Sequence, residues 1–386
     1  MAYVNTDAGG GGSGGAPASD GGTSTTAVDD VPPLVRMLAG NPATSAAILA
    51  CLNTADASHL RQLYPAVAAV VAGVPWADTS TAVVDVVRWR AALPAAVGVC
   101  VSPERGVRHL TVPELAALAG VTHLDMKGCG FVADSLLLHL RPWLRVLDVS
   151  QCDNLTARAR FVHLTALTVL DCHRTSVVSG GVACLPPSLQ ELNMSKAEFP
   201  AGALLAGLTR LRILRASRTR LDAVTLASLP PSLLELHAAW CQTLLPGASF
   251  AHLPALHTLD ISATAIDDTS LATMRPSLVS LHACWCANLT PAAVLPPLPA
   301  LRLLDVSRTG VADALVASLP ADMTELLISR CDNVTAGATL DHVPALRVLH
   351  SHGTNLAPGV LAGCRARGCA APAAGVLRGQ GRSFTT

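Results

Sequence analysis

Apolar residues recur along this chain in one spacing, Leu-x-x-Leu-x-φ-x-x-(Cys or Thr)-x-φ, where φ is apolar. The spacing returns every 22 or 23 residues and is found eleven times. Such internal recurrence predicts a solenoid, in which each coil buries its apolar face against the next coil. The repeats open at Val121, Leu144, Leu167, Leu189, Leu211, Leu233, Leu256, Leu278, Leu301, Met323 and Leu346.

One repeat, residues 301–322, shows which elements this pattern predicts. Leu304 and Val306 alternate with polar neighbours, which indicates a short strand with both side chains facing inward. Thr309 is then expected to turn inward and to bond the backbone of a neighbouring coil through its hydroxyl. Leu315 and Leu319 follow, so the rest of the repeat is predicted to return as a short helix or an irregular segment.

The repeats are of two kinds, which alternate along most of the array. One kind has Cys at the inward turn, as in Cys241 and Cys286, and the other has Thr, as in Thr264 and Thr309. The fourth repeat has Ala197 instead. The unit of the array is therefore a pair of repeats, 44 or 45 residues long. This pairing predicts two stripes of different chemistry along one surface.

The repeat spacing resembles that of leucine-rich repeat proteins over about residues 107–362. The resemblance implies an α/β solenoid: a horseshoe with a parallel β-sheet on its concave face, a short helical or irregular convex side and a small helical N-terminal cap. We expect residues 121–368 to form the repeats and a worn C-terminal cap, and residues 369–386 to form a flexible tail. A solenoid offers a long surface to another macromolecule, so the predicted function is protein recognition.

Candidate binding residues lie on the concave face. We number each repeat from its opening apolar residue, position 0; positions 2, 4 and 6 are then expected to face the concave side, with position 7 at its edge. Two Trp residues fall at position 7 near Arg residues, a composition typical of binding hot spots. The predicted partner-binding residues are His237, Trp240, Asp260, His282, Trp285, Asp305, Arg308, Arg218 and Arg330.

Three other interpretations of these residues remain open. The Trp side chains could fold back over the turns and fill gaps left by Ala. His237, His282, Cys284 and Cys286 could hold a metal, although Cys286 is expected to point into the core and no C-x-x-C pair frames a zinc site. A hydrolase built on His, Asp and Ser would need a nucleophile elbow, which the sequence lacks. We therefore expect no enzymatic activity, no metal and no cofactor.

A different pattern precedes the repeats, in residues 31–90, where apolar residues follow helical spacing between prolines. Within it, ILACLNTADASHLRQLYPAV resembles the F-box motif, although the Leu-Pro that usually opens that motif is missing. The resemblance implies docking on a cullin-adaptor subunit and the role of substrate receptor in an SCF-type ubiquitin ligase. The residues that match the F-box framework are Ile48, Leu49, Leu52, Leu60, Leu63 and Val67. The alternative is a helical cap over the first coil, completed by residues 91–120.

Composition bears on the partner and on the compartment. The formal net charge is zero, so the chain has no basic footprint for nucleic acid. Residues 1–30 are Gly-rich and polar, which predicts disorder, and they do not resemble a secretory signal. No apolar run reaches the ~20 residues that span a bilayer. We expect an intracellular, cytoplasmic protein, with a nuclear location also compatible, whose twelve cysteines are reduced structural thiols.

Overall fold

A computed structural model describes residues 37–38, 49, 52–63, 67–101, 109–180 and 182–370. The expected disordered tail of residues 1–30, almost all of the expected C-terminal tail and the F-box-like residue Ile48 lie outside these ranges.

The described residues form one sheet of twelve parallel strands, and the order of the strands in the sheet is their order in the chain. Each strand is three residues long and pairs in register with the next, so that Leu236, Leu259 and Leu281 are direct neighbours. The α/β solenoid predicted from the repeat spacing is thereby confirmed. The strands are β1 Gly98–Cys100, β2 His123–Asp125, β3 Val146–Asp148, β4 Val169–Asp171, β5 Glu191–Asn193, β6 Ile213–Arg215, β7 Glu235–His237, β8 Thr258–Asp260, β9 Ser280–His282, β10 Leu303–Asp305, β11 Glu325–Leu327 and β12 Val348–His350.

Burial follows the period of the repeat. From β2 to β12, the central residue of each strand is buried and its two neighbours are half-buried on the concave side. Leu304 and Val306 are both fully buried, as the alternation predicts.

The convex side contains only short helices, because each return segment has only about ten residues to cross the coil. Its elements are α4 Val112–Ala117, α5 Asp134–Leu137, α6 Ala223–Ala227, α7 Asp268–Leu271, α8 Asp313–Ala317 and two 3₁₀ turns, Val177–Gly180 and Val182–Cys184.

The alternation of Thr and Cys has a structural basis in a shared carbonyl. Thr309 is buried, but its Oγ1 donates to the carbonyl of Val306 in its own coil, at 2.6 Å, rather than to a neighbouring coil. A three-residue turn brings that carbonyl within reach of the short side chain. Cys331 of the next coil donates its Sγ to the same oxygen at 3.1 Å. One carbonyl thus joins a Thr-type coil to the Cys-type coil that follows it.

The same arrangement occurs in two earlier pairs of coils. The carbonyl of Ile261 accepts from Thr264 at 2.6 Å and from Cys286 at 3.3 Å. The carbonyl of Ala216 accepts from Thr219 at 2.7 Å and from Cys241 at 3.1 Å. The pair of repeats seen in the sequence is therefore also a hydrogen-bonded unit.

The N-terminal end of the sheet is covered by a helical cap. Its elements are α1 Thr54–Leu63, α2 Ala68–Gly73 and α3 Val86–Ala92. Between α2 and α3 the chain lies against β1: the carbonyl of Trp76 accepts from the N–H of Gly98 at 2.7 Å. A Cβ at Gly98 would lie 2.3 Å from the carbonyl carbon of Ala77, so only glycine fits at this crossing. All of β1 is buried as a result.

Two further contacts close the ends of the molecule. Asp78 accepts from both the N–H and the hydroxyl of Thr54 at 2.8 Å, which fixes the start of α1 to the segment that crosses β1. At the other end, α9 Pro358–Ala366 follows β12, and Val348 forms a bridge with Ala370. The strand β1 was not predicted, because its sequence departs from the repeat spacing.

Candidate functional site

The concave face carries a row of polar side chains at position 4. Asp125, Asp148 and Asp171 are direct neighbours on β2, β3 and β4. Burial, together with the nearby charge of Asp171, raises the pKa of Asp148 to about 6. Burial also raises the pKa of Asp125. Burial acts in the same direction on Asp171, but hydrogen bonds from His173 and Asn193 outweigh it and lower the pKa of that carboxyl.

The position-4 carboxylates also have a structural task. Asp260 accepts the backbone N–H of Ser262 at 3.1 Å, and Asp305 accepts that of Ser307 at 3.0 Å. Such a bond from a residue two positions ahead is an Asx turn, which ends the strand and redirects the chain. Both carboxylates are only half-buried. Asp260 and Asp305 therefore shape the edge of the concave face and still present an oxygen to a partner.

The two predicted His residues lie at position 4 on either side of Asp260. His237 has its Nε2 3.6 Å from a carboxylate oxygen of Glu235. Burial and the charge of Arg215 lower the pKa of His237, which favours the neutral form of its ring. His282 places its Nε2 3.2 Å from the hydroxyl of Ser280. Both rings are held by a neighbour on the same strand.

Position 7 forms a second row, which we call the edge row. All eleven repeats have a left-handed backbone here, with φ between 54° and 74°. Left-handed conformation costs an L-residue about 1–2 kcal/mol, whereas glycine adopts it freely. Only the first and last repeats use glycine, at Gly128 and Gly353. The others hold Gln151, Arg174, Lys196, Arg218, Trp240, Ala263, Trp285, Arg308 and Arg330.

The left-handed turns of the edge row direct its side chains away from the core. Trp240 is 49% exposed and Trp285 is 52% exposed. The guanidinium of Arg218 lies 5.2 Å from the ring centroid of Trp240, and that of Arg308 lies 4.1 Å from the ring centroid of Trp285. These are cation–π distances. The Trp side chains are thus held against Arg at the surface and do not fill gaps in the core.

A cleft of about 870 Å³ opens beside the middle of the edge row. Lys196, Arg218 and Trp240 from the row line it, together with Arg220 and a single carboxylate, Glu198. It extends from the fourth repeat to the sixth, and Ala197, which replaces the usual Cys or Thr of the fourth repeat, is one of the lining residues. Three cations against one carboxylate make the cleft electropositive. The sequence showed the irregular repeat but not the cleft.

The cysteines near the Trp residues have raised pKa values, which favours the protonated thiol. Cys286 is fully buried, and burial raises its pKa. Burial raises the pKa of Cys284 to about 11. No group of three or more His, Cys, Asp or Glu side chains within the described ranges is placed to hold a metal ion. Cys241, Cys284, Cys286 and Cys331 are free thiols.

The residues that match the F-box framework divide by burial. Leu49 and Val67 are fully buried, and both belong to the main core cluster. Leu52 and Leu60 are half-buried and pack on that cluster. Leu63 is the last residue of α1. No helix in the described part of the chain is long and apolar enough to cross a membrane.

Comparison with solved structures places this architecture among leucine-rich repeat solenoids. A leucine-rich repeat protein of Leptospira interrogans superposes with a TM-score of 0.52 at 16% identity, over 76% of this chain and 81% of that chain. An internalin from Listeria monocytogenes gives a TM-score of 0.41 at 16% identity, over 70% of this chain and 71% of that one. A chain of the Toll–Spatzle complex of Drosophila gives 0.49 at 17% identity, over 70% of this chain and 38% of that one. No family model and no curated protein sequence matches the chain. At these identities the likeness concerns the fold.

Proposed function

We propose that this protein is a non-enzymatic recognition scaffold that binds a protein partner on its concave face and edge row. The observation that carries the proposal is the pair of half-exposed Trp side chains, Trp240 and Trp285, held at the same repeat position by Arg. Exposed aromatic and Arg side chains that are already ordered lose little entropy on binding, which is why they dominate binding energy in protein interfaces. The other residues included in the proposed surface are each the last residue of a strand, three positions before the edge row: His237, Asp260, His282 and Asp305.

The test compares Trp285→Ala with Trp143→Ala in partner capture. Trp143 is 45% exposed but lies outside the edge row, so it is a matched control. We expect Trp285→Ala to weaken binding of the captured protein by more than ~1 kcal/mol, about fivefold, with an unchanged melting temperature. Trp143→Ala should leave binding unchanged. A steep loss of stability in Trp285→Ala, or equal effects of the two variants, would contradict the proposal.

A narrower form of the proposal is a substrate receptor of an SCF-type ubiquitin ligase, in which residues 31–90 dock on a cullin adaptor. Its support is the F-box resemblance, together with Leu52 and Leu60, whose side chains are not fully covered by the cap. Deleting the whole segment would uncover β1, so a point variant is the sharper test. Leu60→Asp should abolish co-purification of a cullin adaptor, whereas the exposed neighbour His59→Asp should not. Absence of any adaptor from the wild-type complex would leave the general scaffold.

The thiols support an intracellular, cytoplasmic location for such a scaffold. Free thiols persist in reducing compartments, and Cys241, Cys286 and Cys331 in the core of the array are free. The thiols of Cys241, Cys286 and Cys331 donate hydrogen bonds to the backbone of the preceding coil. Oxidation would remove these donors, so the array depends on its thiols staying reduced. Fractionation of cells that express the tagged chain tests the location.

A further inference from the structure

The centre of the edge row is symmetric in its chemistry. Ala263 is flanked on each side by a Trp, then by an Arg, then by a further cation. None of these seven side chains is acidic. The symmetric sequence of side chains is Lys196, Arg218, Trp240, Ala263, Trp285, Arg308 and Arg330.

Ala263 is the shortest of these seven side chains and stands between the two Trp residues in the row; we call the space over it the slot. Adjacent coils of a parallel sheet are ~4.8 Å apart, so Trp240 and Trp285, two coils apart, are separated by about 10 Å along the row. A group placed midway is about 5 Å from each, within the 4.5–7 Å that separates the centroids of interacting aromatic rings. The Arg side chains lie against the Trp rings from the far sides of the slot. The space over Ala263 therefore fits one planar, apolar side chain.

The cations on either side fix what must flank that side chain. Arg218 and Arg308 are each two coils from Ala263, about 10 Å, which an extended chain covers in about three residues. Lys196 and Arg330 are three coils away, about 14 Å, or about four residues. On one side the electropositive cleft gives the chain a path past Lys196 and Arg218. Carboxylates at these two distances would meet a guanidinium or ammonium group at each end.

We propose that the edge row binds an extended segment of the partner protein that has an aromatic residue at its centre and acidic residues three and four positions to either side. The inference rests on the proposed scaffold function and names the chemistry of its partner. A single-stranded nucleic acid also combines rings with negative charge. Asp260 is in the same repeat as Ala263 and would disfavour a phosphate there, whereas the peptide places only its aromatic side chain at that repeat.

The test uses a defined probe, a fluorescein-labelled nine-residue peptide. Its central residue is phenylalanine, the two residues on each side of it are serine, and the two outermost residues at each end are glutamate. Fluorescence anisotropy is measured as full-length protein is added. We expect saturable binding that weakens about tenfold or more when glutamine replaces the glutamates, and similarly when alanine replaces the phenylalanine.

Two substitutions of one residue separate the slot from the fold. Ala263→Phe fills the slot and should weaken peptide binding about tenfold or more, whereas Ala263→Gly leaves it open and should change binding less than about threefold. If Ala263→Phe fails to fold, the double variant Arg218→Gln with Arg308→Gln tests the cations on either side of the slot. It should weaken peptide binding by the same factor. The cation control is Arg158→Gln with Arg210→Gln, two exposed arginines outside the row and the cleft.

Each outcome decides the inference. The inference is overturned if the peptide shows no saturable binding, or if its affinity is unchanged by Ala263→Phe and by Arg218→Gln with Arg308→Gln. It is also overturned if an oligothymidylate of equal charge binds more tightly. If partner capture still depends on Trp285 while the peptide does not bind, this inference fails and the scaffold function stands. If capture ignores Trp285 as well, both fail.

Discussion

The carbonyl of Val306 accepts from two side chains in different coils, and this predicts a particular kind of non-additivity. Thr309→Val keeps the shape of the side chain but removes the donor at 2.6 Å, while Cys331 still donates from 3.1 Å. The single change should cost about 1 kcal/mol, the net value of one hydrogen bond. Cys331→Ala alone should cost about 1–2 kcal/mol, because it also leaves a small cavity.

The double variant should cost more than the sum of the two. Val306 is fully buried, and with both donors gone its oxygen loses its side-chain partners in the described structure. A buried acceptor without a donor carries a penalty of about 1–3 kcal/mol. We therefore expect a coupling energy of about 1 kcal/mol, measured as the free energy of unfolding in urea for the four proteins of the cycle.

The matched control pairs Thr309→Val with Cys241→Ala. Cys241 bonds the carbonyl of Ala216, which belongs to a different pair of coils. Those two effects should add within ~0.5 kcal/mol. If the Thr309 and Cys331 effects also add, the shared carbonyl does not couple the two coils and our account of the alternating repeats is wrong.

Three further predictions concern the core, the acidic row and the edge row. Leu259 is a fully buried strand centre, and Leu259→Ala should lower the free energy of unfolding by about 2–5 kcal/mol. The control is Leu138→Ala, at a side chain that is 62% exposed, which should change that free energy by less than ~0.5 kcal/mol. Equal effects of the two variants would disprove the assigned register. The pKa of Asp148 is about 6 in the fold against an ordinary 3.8, so the folded state binds this proton more tightly than the unfolded state does. Stability should therefore fall as pH rises from about 4 to about 6. The free energy of unfolding of Asp148→Asn, relative to wild type, should be higher at pH 7 than at pH 4.5 by at least about 1 kcal/mol in urea titrations. Arg330→Gly should be more stable than Arg330→Ala by about 0.5–1 kcal/mol, because Ala retains the left-handed strain and glycine does not; thermal melts that rank them in the opposite order would contradict this.

Much of the fold could be predicted because a solenoid repeats the same local structure in every coil. Period-two alternation around Leu304 is enough to choose the strand, and eleven copies of it set the register. The strand β1 escaped prediction because the cap covers both of its faces, so Gly98–Cys100 shows no alternation. The target of the Thr309 hydroxyl was predicted wrongly, since sequence indicates that a side chain turns inward but not which carbonyl is nearest.

The edge row could be placed at the rim of the sheet, but its backbone was missed. Gly128 and Gly353 stand at position 7 of the first and last repeats, and this was the available signal for a left-handed turn. Stacking of Arg218 on Trp240 depends on the rotamers of two long side chains, which spacing alone does not fix. The cleft has Ala197 among its lining residues, but the sequence shows only that this repeat is irregular and not how much space its neighbours leave.

A Thr-type coil and the Cys-type coil after it share a carbonyl acceptor, and this pairing determines how the array can lengthen or shorten. Excising residues 256–300 would join a Cys-type coil to the Thr-type coil of Leu301, the same succession that exists at Leu256, so the interior would close without a mismatch. Loss of a single coil would instead bring two coils of one type together. The same excision would remove Ala263 and Trp285 and leave Trp240 directly beside Arg308. Gain or loss of one pair of repeats would thus change the side chains of the edge row, while the hydrogen bonds inside the coils stay the same.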